Sequence, residues 1–292
     1  MNERPKITQE MIDLYDEYTH VTLDRRAFMQ KLAQLTGSAA AAAAIAPLIG
    51  ADKAQAAIVA AGDARLKTEN IEYGGANGVV MKGYLVTPAP VSGPLPAVIV
   101  VHENRGLNAH IEDVTRRMAL EGFLALAPDF LSPDGGTPAD EDKVRGMFAA
   151  LDAVATVQNA VATVEFLKAD PRTNGKVGII GFCWGGGVVN QTAVASPDLA
   201  AGVAYYGQQP KANIGQIKAR LMLHYAGLDT RIDAGIKDYE AGLKAAGVDY
   251  KIFVYDGVNH AFNNDTSAAR YDKAASDLAW SRTVAFLKET LA

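Results

Sequence analysis

From about residue 66 onward, apolar positions fall into two alternating periods. Leu66–Tyr73 and Val79–Val86 alternate apolar with polar residues and stop at Gly74-Gly75 and Pro88. That is the pattern of an antiparallel hairpin. Pro96–Val101 carries the unbroken run Ala-Val-Ile-Val-Val, which reads as a strand buried on both faces, as in a parallel sheet. Residues 109–120 then place Ile111, Val114, Met118 and Leu120 at helical spacing. Phe123–Ala127 is a second buried strand, closed by Pro128-Asp129, and a loop rich in Gly, Pro and Asp covers residues 131–140. Helices are expected near 140–150 and 153–168, at 185–195, near 232–246 and near 269–290. Strands are expected at Lys176–Gly181, Ala201–Tyr205, Leu221–Tyr225 and Tyr250–Tyr255. Strands alternating with helices predict an α/β protein with a mostly parallel central sheet and helices on both faces. In such sheets the chemistry gathers in loops at the carboxyl ends of strands.

The first 56 residues follow a different pattern. Asp24-Arg25-Arg26-Ala27-Phe28 precedes a weakly apolar, alanine-rich run from Leu32 to Ile49, and Ala54-Gln55-Ala56 follows. A charged start, an apolar middle and a small-residue cut are the parts of an export signal. The paired arginines resemble the twin-arginine type. Residues 1–56 are therefore expected to be an export signal read by the twin-arginine translocase and removed after Ala56. That leaves residues 57–292 as a single domain in the periplasm; a cytoplasmic helix with a linker is the alternative. Gly37, Ser38 and Pro47 interrupt the run, and a membrane span wants about 20 strongly apolar residues, so no stable span is expected.

Composition narrows the function classes. Apolar residues make up 49% of the 292 and charged residues 21%, ordinary for a globular protein. The net charge of −5, without a basic block, argues against a nucleic-acid partner. The single cysteine, Cys183, excludes an intramolecular disulfide and a Cys-rich zinc site. A lone cysteine is ordinarily a small buried hydrophobe, so its neighbours must decide its role.

Those neighbours are Gly181-Phe182-Cys183-Trp184-Gly185, a Gly-x-nucleophile-x-Gly turn between a predicted strand and helix. The glycines clear space around a strained turn, and the helix N-terminus favours thiolate over thiol. The Trp184 backbone N–H is placed to form half of an oxyanion hole. Phosphate binding is not indicated: the G-x-G-x-x-G spacing is absent and no Lys-Ser/Thr follows the glycines. No cofactor or metal is expected. In the chain order nucleophile, acid, histidine, Asp229 follows the strand Leu221–Tyr225 and a glycine turn, with Asp233 as its rival. His260 follows the last strand as base. His110 reads as an exposed helix start and His224 as a hydrogen-bonded core histidine. In the loop His102-Glu103-Asn104-Arg105-Gly106, the Asn104 N–H is the candidate second oxyanion donor. Glu103 stands beside the expected nucleophile.

Together these residues resemble dienelactone hydrolase (carboxymethylenebutenolidase), a family of the α/β-hydrolase fold, over roughly residues 66–292. The resemblance implies a hydrolase of small esters or lactones that works through a Cys183–Asp229–His260 triad and a thioester. It implies that Glu103 contacts the resting thiol, and that Tyr206 is a site residue. Members of that family hold the substrate carboxylate with arginines, one of them soon after the catalytic His. Here Ala-Phe-Asn-Asn-Asp follows His260, which leaves Arg105 as a candidate anion anchor. Two other classes compete: a non-catalytic binding protein of the same fold, and a thioesterase or peptidase on the same elbow.

Overall fold

The computed structural model describes residues 6–20, 23–50 and 57–292. The expected cut at Ala54-Gln55-Ala56 lies outside these residues.

Eight strands form one sheet: β1 (Leu66–Gly74), β2 (Val80–Pro88), β3 (Leu95–Val101), β4 (Leu124–Asp129), β5 (Thr173–Phe182), β6 (Ala201–Tyr205), β7 (Arg220–Ala226) and β8 (Tyr250–Tyr255). Their order is β1-β2-β4-β3-β5-β6-β7-β8. The β1/β2 hairpin and the β2/β4 pair are antiparallel, and every later pairing is parallel. β3 shows why the apolar run had no alternation. Val98 and Val100 enter one core, while Ala97, Ile99 and Val101 enter the core on the opposite face. Each fully buried Val or Ile contributes roughly 1.5–3 kcal/mol relative to exposure.

The helices of the domain are α4 (Ala109–Leu120), α5 (Glu141–Ala150), α6 (Ala153–Ala169), α7 (Trp184–Ala195), α8 (Thr230–Asp233), α9 (Ile236–Ala246) and α10 (Lys273–Leu291). Two differ from expectation. The helix expected near 232–246 is split into α8 and α9, because the Gln209 amide takes the Ile232 carbonyl at 2.9 Å. The last helix starts later than expected, at Lys273, where Asp272 caps it by accepting from the Ala275 N–H at 2.8 Å.

Before the domain come three more helices: α1 (Gln9–His20), α2 (Arg25–Thr36) and α3 (Ala39–Ile49). The two arginines open α2, with Asp24 accepting from the Ala27 N–H at 2.7 Å. α2 and α3 meet at a bend of 109°, and no single described helix is long and apolar enough to cross a membrane. This segment has a core of its own. Leu32, Ala42 and Ile49 are fully buried in it, and Phe28 stacks on Tyr18 at 4.4 Å.

Candidate active site

Cys183 stands between β5 and α7 with φ +56° and ψ −115°. Side chains rarely adopt such a conformation, and here the packing imposes it. A Cβ on Gly181 would lie 2.3 Å from the Gly185 carbonyl oxygen, and one on Gly185 would lie 2.5 Å from the His102 carbonyl oxygen. Only glycine lets α7 lie this close to the strand ends. The Cys183 N–H donates to the Tyr205 carbonyl at 3.0 Å, which locks the turn to β6.

Asp229 and His260 come from the loops after β7 and β8. One Asp229 carboxylate oxygen accepts from the Ile232 N–H at 3.2 Å and caps α8. The other accepts from His260 Nδ1 at 2.5 Å. With Nδ1 as donor, a neutral His260 carries its lone pair on Nε2. That Nε2 is buried and has no hydrogen-bond partner among the described residues. The rival Asp233 lies at the end of α8; burial, reinforced by the charge of Asp229, raises its carboxyl to about 6.

The other histidines of the domain are accounted for. His102 is buried, its Nδ1 2.7 Å from the Glu103 carbonyl and its Nε2 accepting from the Phe130 N–H at 3.2 Å. Burial holds its pKa down despite the nearby carboxylates. His224 bonds the Tyr255 and Thr283 hydroxyls at 2.9 and 3.1 Å. Burial and then Arg282 push it down to about 3. His110 departs from expectation: its side chain is largely covered, because it pairs with Asp265 at 3.1 Å.

The thiol itself is bonded to a residue of the N-terminal segment. His20 Nε2, at the end of α1, lies 2.8 Å from Cys183 Sγ. Its ring centroid is 4.5 Å from that of His260. His20 Nδ1 lies 3.0 Å from the Asp16 carbonyl, its aligned acceptor, and 3.0 Å from an Asp16 carboxylate oxygen. Burial alone lowers the His20 pKa. The charge of Cys183 and the bonds to Asp16 and Cys183 outweigh that burial and the repulsion from His260, raising it to about 9. Burial alone raises the Asp16 carboxyl, and the charges of His260, His20 and Arg231 bring it well below the usual range.

The remaining expected residues divide into two groups. Trp184, Asn104 and Tyr206 join Cys183 and His260 around a cavity of about 660 Å³. Trp184 stacks on His102 at 5.4 Å, and Tyr206 sits 4.8 Å from the His260 ring. Burial, then the charges of Glu103 and Cys183, push the Tyr206 phenol well above its usual pKa. Glu103 and Arg105 border a smaller cavity beside Cys183 and His260, and each also has a partner of its own. The buried Glu103 carboxylate accepts from Asn264 Nδ2 at 2.8 Å. Burial disfavours its charge, but His110, Arg270, Arg105 and His260 reverse this and lower its pKa. Arg105 donates to the Tyr15 hydroxyl of α1 and does not line the main cavity. Arg145 and Arg231 do line it, joined by Arg25.

Thr19, His20, Asp24 and Arg25 of the N-terminal segment thus form a wall of the site. The Thr19 carbonyl accepts from Asn104 Nδ2 at 2.7 Å, and the Tyr18 carbonyl accepts from Arg145 at 3.0 Å. The Arg145 guanidinium lies 3.8 Å over the Tyr18 ring. The donor atoms of His20, Cys183 and His260 lie within 4.8 Å of one another, as do those of Asp16, Asp229 and His260. A tetrahedral metal with bonds of about 2.0 Å to nitrogen and 2.3 Å to sulfur would hold those two ligands roughly 3.5 Å apart. The 2.8 Å between His20 Nε2 and Cys183 Sγ is shorter than that spacing, which does not suit two ligands of one ion.

Comparison with known proteins agrees with this architecture. The model of the dienelactone hydrolase family matches residues 81–291. A second family model, described as YqhI-like, matches residues 2–39. Protein usf of Aquifex pyrophilus is 36% identical over 229 residues, covering 74% of this chain and 96% of that one. An Escherichia coli (strain K12) protein provisionally named a carboxymethylenebutenolidase is 32% identical over 225 residues, covering 72% and 82%. A crystal structure from Klebsiella pneumoniae, provisionally described as a dienelactone hydrolase, superposes with a TM-score of 0.69. It is 27% identical, covering 76% of this chain and 98% of that one.

Proposed function

The chain belongs to the dienelactone hydrolase family and is a carboxylic ester/lactone hydrolase of the α/β-hydrolase fold, and on that premise we propose that it works through Cys183, His260 and Asp229 by way of a thioester. The observation that carries this is the meeting of a strained nucleophile turn with a buried imidazole. His260 is held by Asp229 at 2.5 Å and keeps Nε2 free among the described residues, and His260 borders the same cavity as Cys183.

The chemistry follows from those positions. Sulfur attacks the ester carbonyl, and the backbone N–H groups of Trp184 and Asn104 stabilise the oxyanion. The carbon–oxygen bond to the leaving group breaks, and that oxygen takes the proton that the thiol gave up. Water, giving a proton to His260 Nε2, attacks the thioester and releases the acid. Asp229 orients the ring and stabilises its charged form. A cavity of about 660 Å³ suits a small ester or lactone. Its border sets Arg25, Arg145 and Arg231 against the single carboxylate of Asp24, which favours a substrate that carries negative charge.

The test compares wild type with Cys183→Ala on an aryl ester and a lactone panel, with mass spectrometry for an acylated thiol. We expect hydrolysis to be lost in the variant and an acyl adduct on Cys183 in the wild type. Equal rates in the two proteins sink the thiol reading.

A further inference from the structure

His260 is not the only imidazole aimed at the thiol. We propose that His20, carried on the N-terminal segment and oriented by Asp16, is a second catalytic histidine: it holds the Cys183 sulfur and exchanges its proton, leaving His260 free for water. This deepens the thiol mechanism above and rests on it.

The geometry gives the two rings different tasks. His20 Nδ1 meets the Asp16 backbone carbonyl, an acceptor, at 3.0 Å, with the Asp16 carboxylate at 3.0 Å and the Thr19 hydroxyl at 2.9 Å around it, so it carries a proton. Nε2 is then the atom that shares a proton with Sγ, 2.8 Å away. His260 Nδ1 is held by the Asp229 carboxylate itself, yet its Nε2 bonds nothing among the described residues. One thiol therefore has two His–Asp pairs around it. The first is engaged with the sulfur and the second is free to accept a proton. A His20 that ion-pairs with a buried thiolate has reason to stay charged, which agrees with its raised pKa of about 9.

His20 also does not plug the site. The cavity of about 660 Å³ persists with the segment docked, and His20 forms part of its wall beside Cys183. Substrate can thus meet sulfur and His20 together.

The proton and electron balance is complete. In the resting pair the sulfur is thiolate and His20 is imidazolium. As Sγ bonds the carbonyl carbon, the bond to the leaving oxygen breaks, and that oxygen takes the proton from His20 Nε2. Water next gives a proton to His260 and its oxygen to the acyl carbon. The carbon–sulfur bond breaks and sulfur keeps the bonding pair. The product acid returns a proton to His20, and His260 releases its own to solvent.

The experiment uses the full 292-residue chain and an activated aryl ester, following the acylation burst, the steady state and iodoacetamide alkylation of Cys183 near neutral pH. His20→Ala should slow both burst and alkylation by about tenfold or more, since a positioned acid–base group contributes on the order of 10²–10⁴. Added imidazole should restore part of the loss. His20→Asn, which fills the space without exchanging a proton, should behave as His20→Ala does. His260→Ala should leave alkylation intact and slow the steady state. Wild-type burst and alkylation rates in both His20 variants overturn the proposal. So does a loss that imidazole cannot restore, which would make His20 a wall and no more. If His260→Ala slows alkylation instead, the assignment is reversed and the proposal fails. These results bear on His20 alone when Cys183→Ala is inactive; hydrolysis surviving in Cys183→Ala overturns the thiol mechanism itself.

Discussion

His260 Nδ1 meets the Asp229 carboxylate at 2.5 Å, each residue in a loop beyond one of two neighbouring parallel strands, β7 and β8. An aspartate so placed fixes which imidazole nitrogen carries the proton. Asp229→Asn keeps the shape but turns an acceptor into a donor on one side. We expect kcat to fall by about 10³–10⁴ with a much smaller change in KM. Steady-state kinetics on an aryl ester measure it; a loss below about tenfold would remove Asp229 from the mechanism.

The N-terminal segment gives a second prediction. Cutting after Ala56, as an export signal would require, discards His20, Asp16 and the aromatic contact of Tyr18 with Arg145. The cavity would lose one wall. The docked helices and their own core, with Leu32 and Ile49 fully buried, lead us to expect the segment in the working enzyme. Mass mapping of protein purified from its native cells should recover α1 to α3, Gln9–Ile49, on the mature chain. A product starting near Ala57 would refute retention.

A third prediction concerns acid. His224 is buried with a pKa pushed down to about 3, against 6.5 for an unburied imidazole. As pH falls from 6.5, the unfolded chain takes up a proton at this residue that the folded chain refuses. Stability attributable to His224 is thus full above pH 6.5 and lost progressively toward about 3. The slope can reach about 1.4 kcal/mol per pH unit. His224→Gln keeps hydrogen-bonding capacity and removes the titration. Urea unfolding across this range should show a shallower decline in the variant than in the wild type; parallel declines would contradict the assignment.

Much of this molecule was legible in its sequence, for identifiable reasons. The β3 run Ala-Val-Ile-Val-Val reads as a doubly buried strand because its two faces enter two cores. The turn at Cys183 is legible because close approach of α7 demands glycine at 181 and 185. Asp229 and His260 follow from chain order and from the strand ends they succeed. His20 was not legible. Asp16 and His20, four residues apart on a helix, look like any surface ion pair. The contact that gives them meaning spans 163 residues. The small core that Leu32 and Ile49 close in that segment was not legible either, because an alanine-rich run marks no distinct apolar face. The partners of Glu103 and Arg105 were hidden for a related reason. One is Asn264, the other is Tyr15 of α1, and neither is implied by local pattern.

The wall built by α1 to α3 also has a place in the order of synthesis. It leaves the ribosome before the sheet does, and the sulfur it touches follows 163 residues later. Its own short-range core can form early, whereas its docking must wait until β5, α7 and the loops after β7 and β8 exist. The part of the pocket made first is therefore the part that arrives last. A nascent chain carries no assembled thiol site until the whole sheet has been laid down.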